Sequence, residues 1–377
     1  MHVAFINENT LGHASYLLPF VNGLACNGEL GVVPHLINAT PLPERLRARA
    51  DFTVPGLRRW GLDFHNVRWR LTVSRHVREQ LLALRGRQPI DAVVVNTQSV
   101  ALDLARVAAE LPVFVCLDAT FAQLARSRWF APNIPSRIFL PLTSAPIRRR
   151  ERVIFQAARR LLPWSQAAEH SLREDYGIRP EIISRLPPSV ALPPRRPTTK
   201  PANARPQLLF VGGDFQRKGG PLLLECFRRH FAGRCELHVV TESKVETEDG
   251  VFVHRGVKAH SDAWRERWEQ ADVFVFPSTL ETFGIVLLEA LAFEVPVVSA
   301  DVGVAREILA EGKAGWLLHH LTTDTLAACI NDVFDAPEAA TNRACRGRLL
   351  IETEYDLMLN ARRLAEFLHA GRRRAEK

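Results

Sequence analysis

Short apolar runs alternate with helical patterns along most of the chain. In the first half the runs are VAFIN, VVPHLI, DAVVVN, PVFVCLD and RLLPWS, and the helical patterns include a segment from about Ser15, SVALDLARVAAE and AAEHSLRED. In the second half the runs are LLFVG, ELHVVT, VFVHRG, DVFVFP and GWLLH, and the helical patterns include GGPLLLECFRRHF, AWRERWEQ and two terminal stretches. This alternation predicts an α/β protein whose parallel sheets carry helices on both faces.

A proline-rich segment divides the two halves. Residues 186–206 read LPPSVALPPRRPTTKPANARP, which cannot continue a helix or a central strand. A chain of 377 residues also exceeds the usual ~100–200 residues of one domain. We therefore predict two doubly wound, Rossmann-like domains facing a central cleft, at 1–190 and 191–353, and a C-terminal helix at 354–377 that crosses back to the first domain.

The composition is that of a globular protein, with 47% hydrophobic and 24% charged residues. The six cysteines lack the spacing of metal ligands, which indicates reduced thiols in a cytoplasmic protein. No export leader and no run of ~20 apolar residues is visible, so we expect neither export nor a membrane span. The net charge of +8 is uneven, because residues 1–190 hold 24 Arg against 15 Asp and Glu and thus +9, which leaves −1 for the rest.

One segment of the first half is especially basic. Arg126–Arg160 contains nine arginines and a single acid, Glu151, among apolar residues such as Trp129 and Ile138. Such a stretch fits an anionic membrane or an acidic acceptor, and the alternative is a solvated surface in an arginine-rich chain. Nucleic acid is not an expected partner, because no nucleic-acid fold signature accompanies the charge.

Two acids stand in an otherwise apolar helical segment of the second half. Residues 281–300 read ETFGIVLLEALAFEVPVVSA, with Glu281 and Glu289 eight positions apart. On a helix, eight residues advance about 12 Å, so the two carboxylates could hold the two ends of a long polar ligand. A carboxylate among leucines needs a hydroxyl or cationic partner. The alternatives are a solvated helix face for Glu289 and a dipole-stabilised N-terminal acid for Glu281.

The surroundings of these glutamates resemble a known signature. The arrangement E-x7-E, with P-S before it, T-F-G after the first Glu and P-V-V after the helix, resembles that of glycosyltransferase family 4, the group 1 glycosyl transferases. The segments LLFVGGDFQRKGGPLLL, ADVFVFPS, VGVAREIL and GKAGWLL resemble further parts of the family, in the right order. In the first half, only the approach to the linker, from LLPWSQAAEH to RLPPSV, resembles it closely. The resemblance implies a retaining enzyme with the GT-B fold.

The resemblance also implies roles for particular residues. Glu289 binds the ribose hydroxyls of the donor nucleotide, and Glu281 lies beside the donor sugar. The N–H groups that open the helix face the donor phosphate or its sugar, since helix N-termini attract anions; they belong to Phe283, Gly284 and Ile285.

Arg217 and Lys218, in the loop after LLFVG, are implied to neutralise the diphosphate leaving group. Without the resemblance, an Arg-Lys pair in a loop is most often simply solvated. The sequence departs from the family at Gly213, where many members carry Arg, and Arg217 could compensate. It also departs at Glu294 and Ser189, where glycine is usual, and there we expect an effect on turns rather than on chemistry.

Three residues of the first half are further candidates by resemblance. Gly12 corresponds to a glycine that lets the backbone approach the diphosphate, and His13 could reach the reaction centre or simply cap a helix. Asp118 stands where many members have His, and it could orient the sugar or acceptor or cap the next helix. Because Gly12 is not part of a G-x-G-x-x-G motif, a dinucleotide-dependent redox enzyme finds little support.

No D-x-D motif, the usual sign of a metal-bound donor, occurs in the chain. We therefore expect metal independence, and the resemblance implies a retaining hexosyltransferase without a cofactor, whose donor substrate is a nucleotide-diphosphate sugar. The resemblance alone implies an acceptor that is a glycan or glycolipid of bacterial surface polysaccharide assembly, met in the cytoplasm or at the inner face of the membrane. The alternatives are a nucleotide-sugar epimerase or phosphorylase of the same fold, and a non-catalytic scaffold that binds anionic surfaces.

Overall fold

The computed structural model describes residues 1–9, 12–60, 62–127, 130–131, 133–195 and 205–373, without the side chains of 12–15 and 372–373. The chain forms two compact units. Unit 1 comprises Met1–Pro188 and Leu357–Lys377, and unit 2 comprises Ser189–Asp356. Among the helices described, none combines the length and the apolar character needed to cross a bilayer.

Unit 1 contains a five-stranded parallel sheet with helices around it. Its strands are β1 His2–Asn7, β2 Val33–Asn38, β3 Ala92–Asn96, β4 Val113–Leu117 and β5 Arg160–Pro163. Its helices are α1 Gly12–Cys26, α2 Glu44–Asp51, α3 Pro55–Arg58, α4 His65–Arg85, α5 Ala105–Ala108, α6 Phe121–Arg126, α7 Ile134–Thr143, α8 Ala145–Ala157 and α9 Gln166–Glu174. Strands β3 and β4 are buried along their whole length, as the continuous apolar runs AVVVN and VFVCL require of a parallel sheet covered on both faces.

The strand order of unit 1 is β2-β1-β3-β4-β5, so the chain leaves β1 toward one side and returns to its other side. The order therefore reverses between β1 and β3, which is where doubly wound sheets bind ligands. The last residues of these strands, Asn7 and Asn96, are paired, and the amide of Asn96 donates to Asn7 Oδ1 at 3.4 Å.

Unit 2 contains a six-stranded parallel sheet in the order β11-β10-β9-β6-β7-β8. Its strands are β6 Gln207–Val211, β7 Glu236–Val240, β8 Val251–His254, β9 Val273–Phe276, β10 Val297–Ala300 and β11 Trp316–Leu318. Its helices are α10 Gly220–His230, α11 Asp262–Gln270, α12 Ile285–Ala292, α13 Ala305–Ile308, α14 Thr323–Asp335 and α15 Pro337–Leu350. The order reverses between β6 and β9, so these two strands form the switch point of unit 2.

The last helix, α16 Leu357–Arg373, belongs to unit 1. It follows a π-helical turn at Ile351–Tyr355 and lies against α1. A Cβ on Gly23 of α1 would lie 2.7 Å from Leu357 Cδ2, so a glycine lets the two helices approach. His369 Nε2 lies 2.9 Å from the carbonyl oxygen of Leu30.

The helices of unit 1 differ from the sequence prediction in two places. The helix expected over SVALDLARVAAE is not continuous, because the segment forms a 3₁₀ turn at Gln98–Val100 and only the short α5. Side chains hold this turn to neighbouring loops, since Ser99 Oγ donates to Glu8 Oε2 at 2.6 Å and Gln98 Nε2 donates to the carbonyl oxygen of Ala119. The 21-residue α4 was not predicted at all, and its buried face includes Arg70 and Ser74, which interrupt the apolar pattern.

Candidate functional site

Two loops of unit 2 meet at its switch point. Arg217 and Lys218 lie between β6 and α10, and Glu281 lies between β9 and α12. Because β6 and β9 are adjacent parallel strands, the loops that follow them leave the same edge of the sheet. Arg217 Nη1 donates to the carbonyl oxygen of Leu280 at 3.2 Å, which joins the loops directly. The predicted diphosphate residues and the first glutamate thus come together.

Lys218 and Glu281 form an ion pair between Nζ and Oε2. The two side chains are only 14% and 12% exposed, so the Glu281 carboxylate is held by a cation rather than by solvent. The ammonium also lies 5.2 Å from the ring centroid of Phe276, the last residue of β9, as a cation–π contact. The second carboxylate oxygen of Glu281 accepts the N–H of Thr282 at 3.3 Å. A largely desolvated lysine is therefore held in place by an acid and a ring.

Asp214 orients Arg217 within its loop. Its Oδ1 accepts the N–H of Arg217 at 3.1 Å, and its Oδ2 lies 3.4 Å from Arg217 Nε. Asp214 is about half exposed, so this pair fixes geometry more than it adds stability. Asp214 was not predicted as a site residue, although an Asp that opens a turn is a recognisable cap for the backbone N–H three residues on.

Two glycines allow the loops to approach each other. Gly219 has φ +79°, and a Cβ there would lie 1.9 Å from the carbonyl oxygen of Pro277. Gly303, in the loop after β10, has φ +59°, and a Cβ there would lie 2.6 Å from the carbonyl oxygen of Glu281. Only glycine fits both the left-handed backbone and the contact. Neither glycine was predicted, although the K-G-G and V-G-V motifs mark the two positions.

Helix α12 begins later than predicted, at Ile285, so Glu281 lies in the loop and only Glu289 is helical. The N-cap is Gly284 with φ +82°, a left-handed conformation that glycine adopts without strain. The first N–H groups of a helix have no acceptor within it, and those of α12 start beside the loop that carries Glu281. The expected separation of 12 Å therefore does not apply, because four of the eight steps are not helical.

Glu289 lies on α12 among buried apolar residues such as Leu288 and Ala290. Its side chain is half-buried, and across the described ranges its carboxylate has no hydrogen bond or ion pair. Desolvation raises the pKa of Glu289 from its ordinary value of 4.5 to about 8. The partner that its surroundings call for is therefore not supplied by the protein's own described side chains.

Gly213, where the family usually carries Arg, does not need to be a glycine for steric reasons. A Cβ at this position would meet no atom within 4 Å. The carbonyl oxygen of Gly213 accepts hydrogen bonds from Thr241 Oγ1 at 3.3 Å and from Ser243 Oγ at 3.1 Å, so the backbone is fixed while the side-chain direction is open.

The candidates of unit 1 lie after its strands. Gly12 and His13 form the first turn of α1, and the His13 side chain lies outside the described residues. Asp118 follows β4, and its Oδ1 accepts the N–H of Ala119 at 2.8 Å. The cap of α6 is Thr120, whose side chain accepts from the N–H of Gln123, so Asp118 is not the cap.

A buried arginine that the sequence pattern does not predict lies near Asp118. Arg70 of α4 is only 7% exposed, and its guanidinium carbon lies 4.9 Å from the ring centroid of Phe121. Burial lowers the pKa of Arg70, and the carboxylates of Glu8, Glu151 and Asp118 oppose the shift. The same burial raises the pKa of Glu151 to about 7. No local motif signals this cluster, because its members come from four separate segments.

Comparison with known proteins identifies the segment that carries the unit 2 site. Residues 205–336 match the family model for glycosyl transferases group 1. The chain is 35% identical over 120 residues to alpha-maltose-1-phosphate synthase of Mycolicibacterium smegmatis, covering 30% of each chain. It is 29% identical over 271 residues to D-inositol 3-phosphate glycosyltransferase of Geodermatophilus obscurus, covering 61% of this chain and 60% of the relative. The chain thus spans less than two thirds of these curated relatives.

Solved structures share the fold over nearly the whole chain. Sucrose-phosphate synthase from Thermosynechococcus elongatus superposes with a TM-score of 0.71 at 17% identity, covering 98% of both chains. Anabaena HepE in complex with UDP-glucose superposes with a TM-score of 0.66 at 16% identity, covering 98% of this chain and 100% of HepE. The chain therefore has the GT-B fold, and its residues 205–336 are similar to the group 1 glycosyl transferases.

Proposed function

We propose that the chain is a glycosyltransferase that moves a sugar from a nucleotide-diphosphate sugar to a glycan or glycolipid acceptor. The meeting of Arg217, Lys218 and Glu281 at the switch point of unit 2, inside the matched family segment, carries the proposal. A doubly wound sheet binds its ligand at such a point. The complex of HepE, a protein of the same fold, with UDP-glucose supports a nucleotide sugar as the donor.

Each residue of the site has a role in donor binding. Lys218, Arg217 and the first N–H groups of α12 would hold the diphosphate. The hydroxyls of a ribose would supply the donors that the Glu289 carboxylate lacks. In the free protein Lys218 is paired with Glu281, so an arriving diphosphate competes for the ammonium and leaves Glu281 to accept from hydroxyls of the sugar.

The chemical step needs stabilisation of a leaving group. Cleavage of the glycosidic bond leaves a negative charge on the diphosphate, and cations already in place stabilise it without reorganisation. We infer a retaining, metal-independent transfer in which a phosphate oxygen takes the proton of the attacking acceptor hydroxyl. Gly12 would lie by the diphosphate, and His13 and Asp118 are candidate catalytic groups on the acceptor side.

The acceptor and the setting belong to the same proposal. A glycan or lipid-linked acceptor of bacterial surface polysaccharide assembly, in the cytoplasm, follows from the family resemblance. Contact of Arg126–Arg160 with an anionic membrane would bring a lipid-linked acceptor to the enzyme.

A donor screen tests the proposal. Binding heat and release of nucleoside diphosphate are measured with UDP-, GDP- and ADP-sugars, with and without EDTA. Lys218→Met should weaken donor binding about tenfold or more, because a hydrogen bond to a charged group contributes about 1.5–3 kcal/mol. Lys258→Met, which removes an exposed lysine of the same unit, is the matched control and should bind like wild type.

The outcomes separate the alternatives. Release that EDTA does not inhibit supports a metal-independent transferase, and isomerised sugar without acceptor would indicate an epimerase. If no donor binds and Lys218→Met cannot be told from wild type, the enzyme proposal fails. A scaffold would then remain, recognised by binding to anionic surfaces without any turnover.

A further inference from the structure

Helix α7 has an inner and an outer side. The helix begins with a capping box between Asn133 and Ser136, which fixes its first turn. Its inner side buries Ser136, Leu140 and Thr143 and lines a 700 Å³ pocket within unit 1, together with Phe130. The inner side of α7 therefore faces the interior of unit 1 and is not available to a partner.

The outer side of α7 is an apolar stripe open to water. Ile134, Ile138 and Leu142 follow one another at intervals of four and lie on one helix face. Their exposed fractions are 72%, 61% and 71%, which are the three largest among the exposed large hydrophobic residues described. Single exposed leucines are ordinary, but three bulky aliphatic side chains in a row form a contiguous patch that favours burial.

Arginines without acidic partners flank this stripe. Arg137 is exposed on α7 itself, and Arg148 of α8 reaches the end of α7, where its Nη2 donates to the carbonyl oxygen of Pro141 at 3.1 Å. Neither guanidinium contacts a carboxylate among the described residues. In contrast, Arg126 and Arg150 are paired with Asp175 and Asp103.

No acid lies near enough in the sequence to offset this charge. Residues 127–150 contain no Asp or Glu, and the next acid, Glu151, is 0% exposed. Its carboxylate accepts the N–H of Phe121 and the hydroxyl of Tyr176 inside the unit. The segment that carries the stripe is therefore apolar and basic, and residues 127–150 contribute no acid of their own.

We propose that the stripe of Ile134, Ile138 and Leu142, with Arg137 and Arg148, is the surface by which this protein docks onto an anionic lipid bilayer. An interfacial helix inserts its apolar face at the acyl boundary while arginines meet the headgroups, and this surface offers both. A polyanion would use the arginines but not the aliphatic side chains. This surface would be the place where the membrane contact of the proposed function occurs. The inference rests on that membrane contact and not on the proposed donor or reaction.

Vesicle co-sedimentation of the full chain, without any donor, tests the inference. The probes are phosphatidylcholine vesicles with and without phosphatidylglycerol, and binding should require the anionic lipid and weaken with salt. The triple variant Ile134→Ser/Ile138→Ser/Leu142→Ser should lose at least about tenfold in partitioning, because each aliphatic side chain loses its burial in the bilayer. Arg137→Gln/Arg148→Gln should also lose about tenfold or more, selectively on anionic vesicles.

Matched controls keep the result specific. Leu82→Ser/Leu349→Ser removes two exposed leucines elsewhere, and Arg179→Gln/Arg346→Gln removes two exposed arginines elsewhere; both should bind vesicles like wild type. Unchanged melting temperatures exclude misfolding of the test variants.

Three results would overturn the inference. The first is that the test variants bind vesicles as well as the controls do. The second is that the wild-type protein binds heparin or RNA but not vesicles. The third is that the wild-type protein is a dimer and the triple variant a monomer. The donor screen involves no lipid, so failure of one proposal leaves the other measurable.

Discussion

Glu289 is the residue whose chemistry is most at odds with its surroundings. Its pKa of about 8 means that folding favours the protonated carboxyl. A ribose diol, which donates hydrogen bonds, favours the ionised form, so binding below pH 8 must release a proton. We expect donor affinity to rise as the pH increases from 6 to 8 and to level off above that. Calorimetry in buffers of different ionisation enthalpy would measure both affinity and proton release.

Glu289→Gln separates this effect from stability. The variant should bind donor more weakly at pH 8 and show no proton release. Because the folded pKa lies above the ordinary 4.5, the stability that the wild-type carboxyl contributes is fully present below pH 4.5 and lost as the pH rises through 8. At pH 9 the variant should therefore be more stable than wild type and melt at a higher temperature. The gain in unfolding free energy should be less than the roughly 5 kcal/mol of the full shift, since the side chain is partly exposed. If the difference in melting temperature between Glu289→Gln and wild type is the same at pH 5 and at pH 9, the pKa shift of Glu289 is refuted.

Gly213 offers a test of the donor phosphate contact. Gly213→Arg should fold, because a Cβ there meets nothing within 4 Å, and it should tighten nucleoside diphosphate binding by up to about tenfold through an added cation. Gly219→Ala is the contrasting variant and should lose more than about 2 kcal/mol, since its Cβ would clash with Pro277. A Gly213→Arg protein that unfolds as readily as Gly219→Ala contradicts this geometry.

At the scale of elements, two residues before α6 have different roles: Thr120 caps the helix, and Asp118 is a candidate catalytic group. Thr120 caps the helix and its hydroxyl also lies 2.6 Å from Ser171 Oγ, so Thr120→Ala should cost at least about 1 kcal/mol of unfolding free energy. Asp118→Asn keeps an oxygen for the N–H of Ala119, so it should fold nearly normally and lower turnover. Denaturant unfolding and turnover of both variants decide the matter. An Asp118→Asn enzyme with full turnover would remove Asp118 from the candidate catalytic groups.

The sequence pattern predicts elements well where they are regular. The buried strands β3 and β4 follow from their β-branched runs, and the parallel sheets follow from the alternation with helices. Helix α4 escaped prediction because Arg70 and Ser74 lie on its buried face. The turn at Gln98–Val100 escaped it because side-chain bonds to distant loops override the local helical pattern.

The residues of the candidate site could be predicted from their motifs, but the contacts between them could not. Lys218 and Glu281 are 63 positions apart, and their ion pair depends on β6 and β9 being neighbours in the sheet. Strand order is a property of the whole unit, which a local pattern does not specify. For the same reason Gly303 could not be connected with Glu281 before the loop after β10 was located.

At the scale of the whole molecule, the two proposed ligand surfaces lie on different units. The proposed donor site lies on loops of unit 2, and the apolar and basic stripe lies on α7 and α8 of unit 1. Hydrogen exchange of the full chain should therefore show donor protection at residues 212–220 and 277–289, because a ligand slows the openings of the segments it holds. Anionic vesicles should instead protect residues 134–150. Protection of 134–150 by donor alone, or of 277–289 by vesicles alone, would show that these surfaces have been assigned to the wrong ligands.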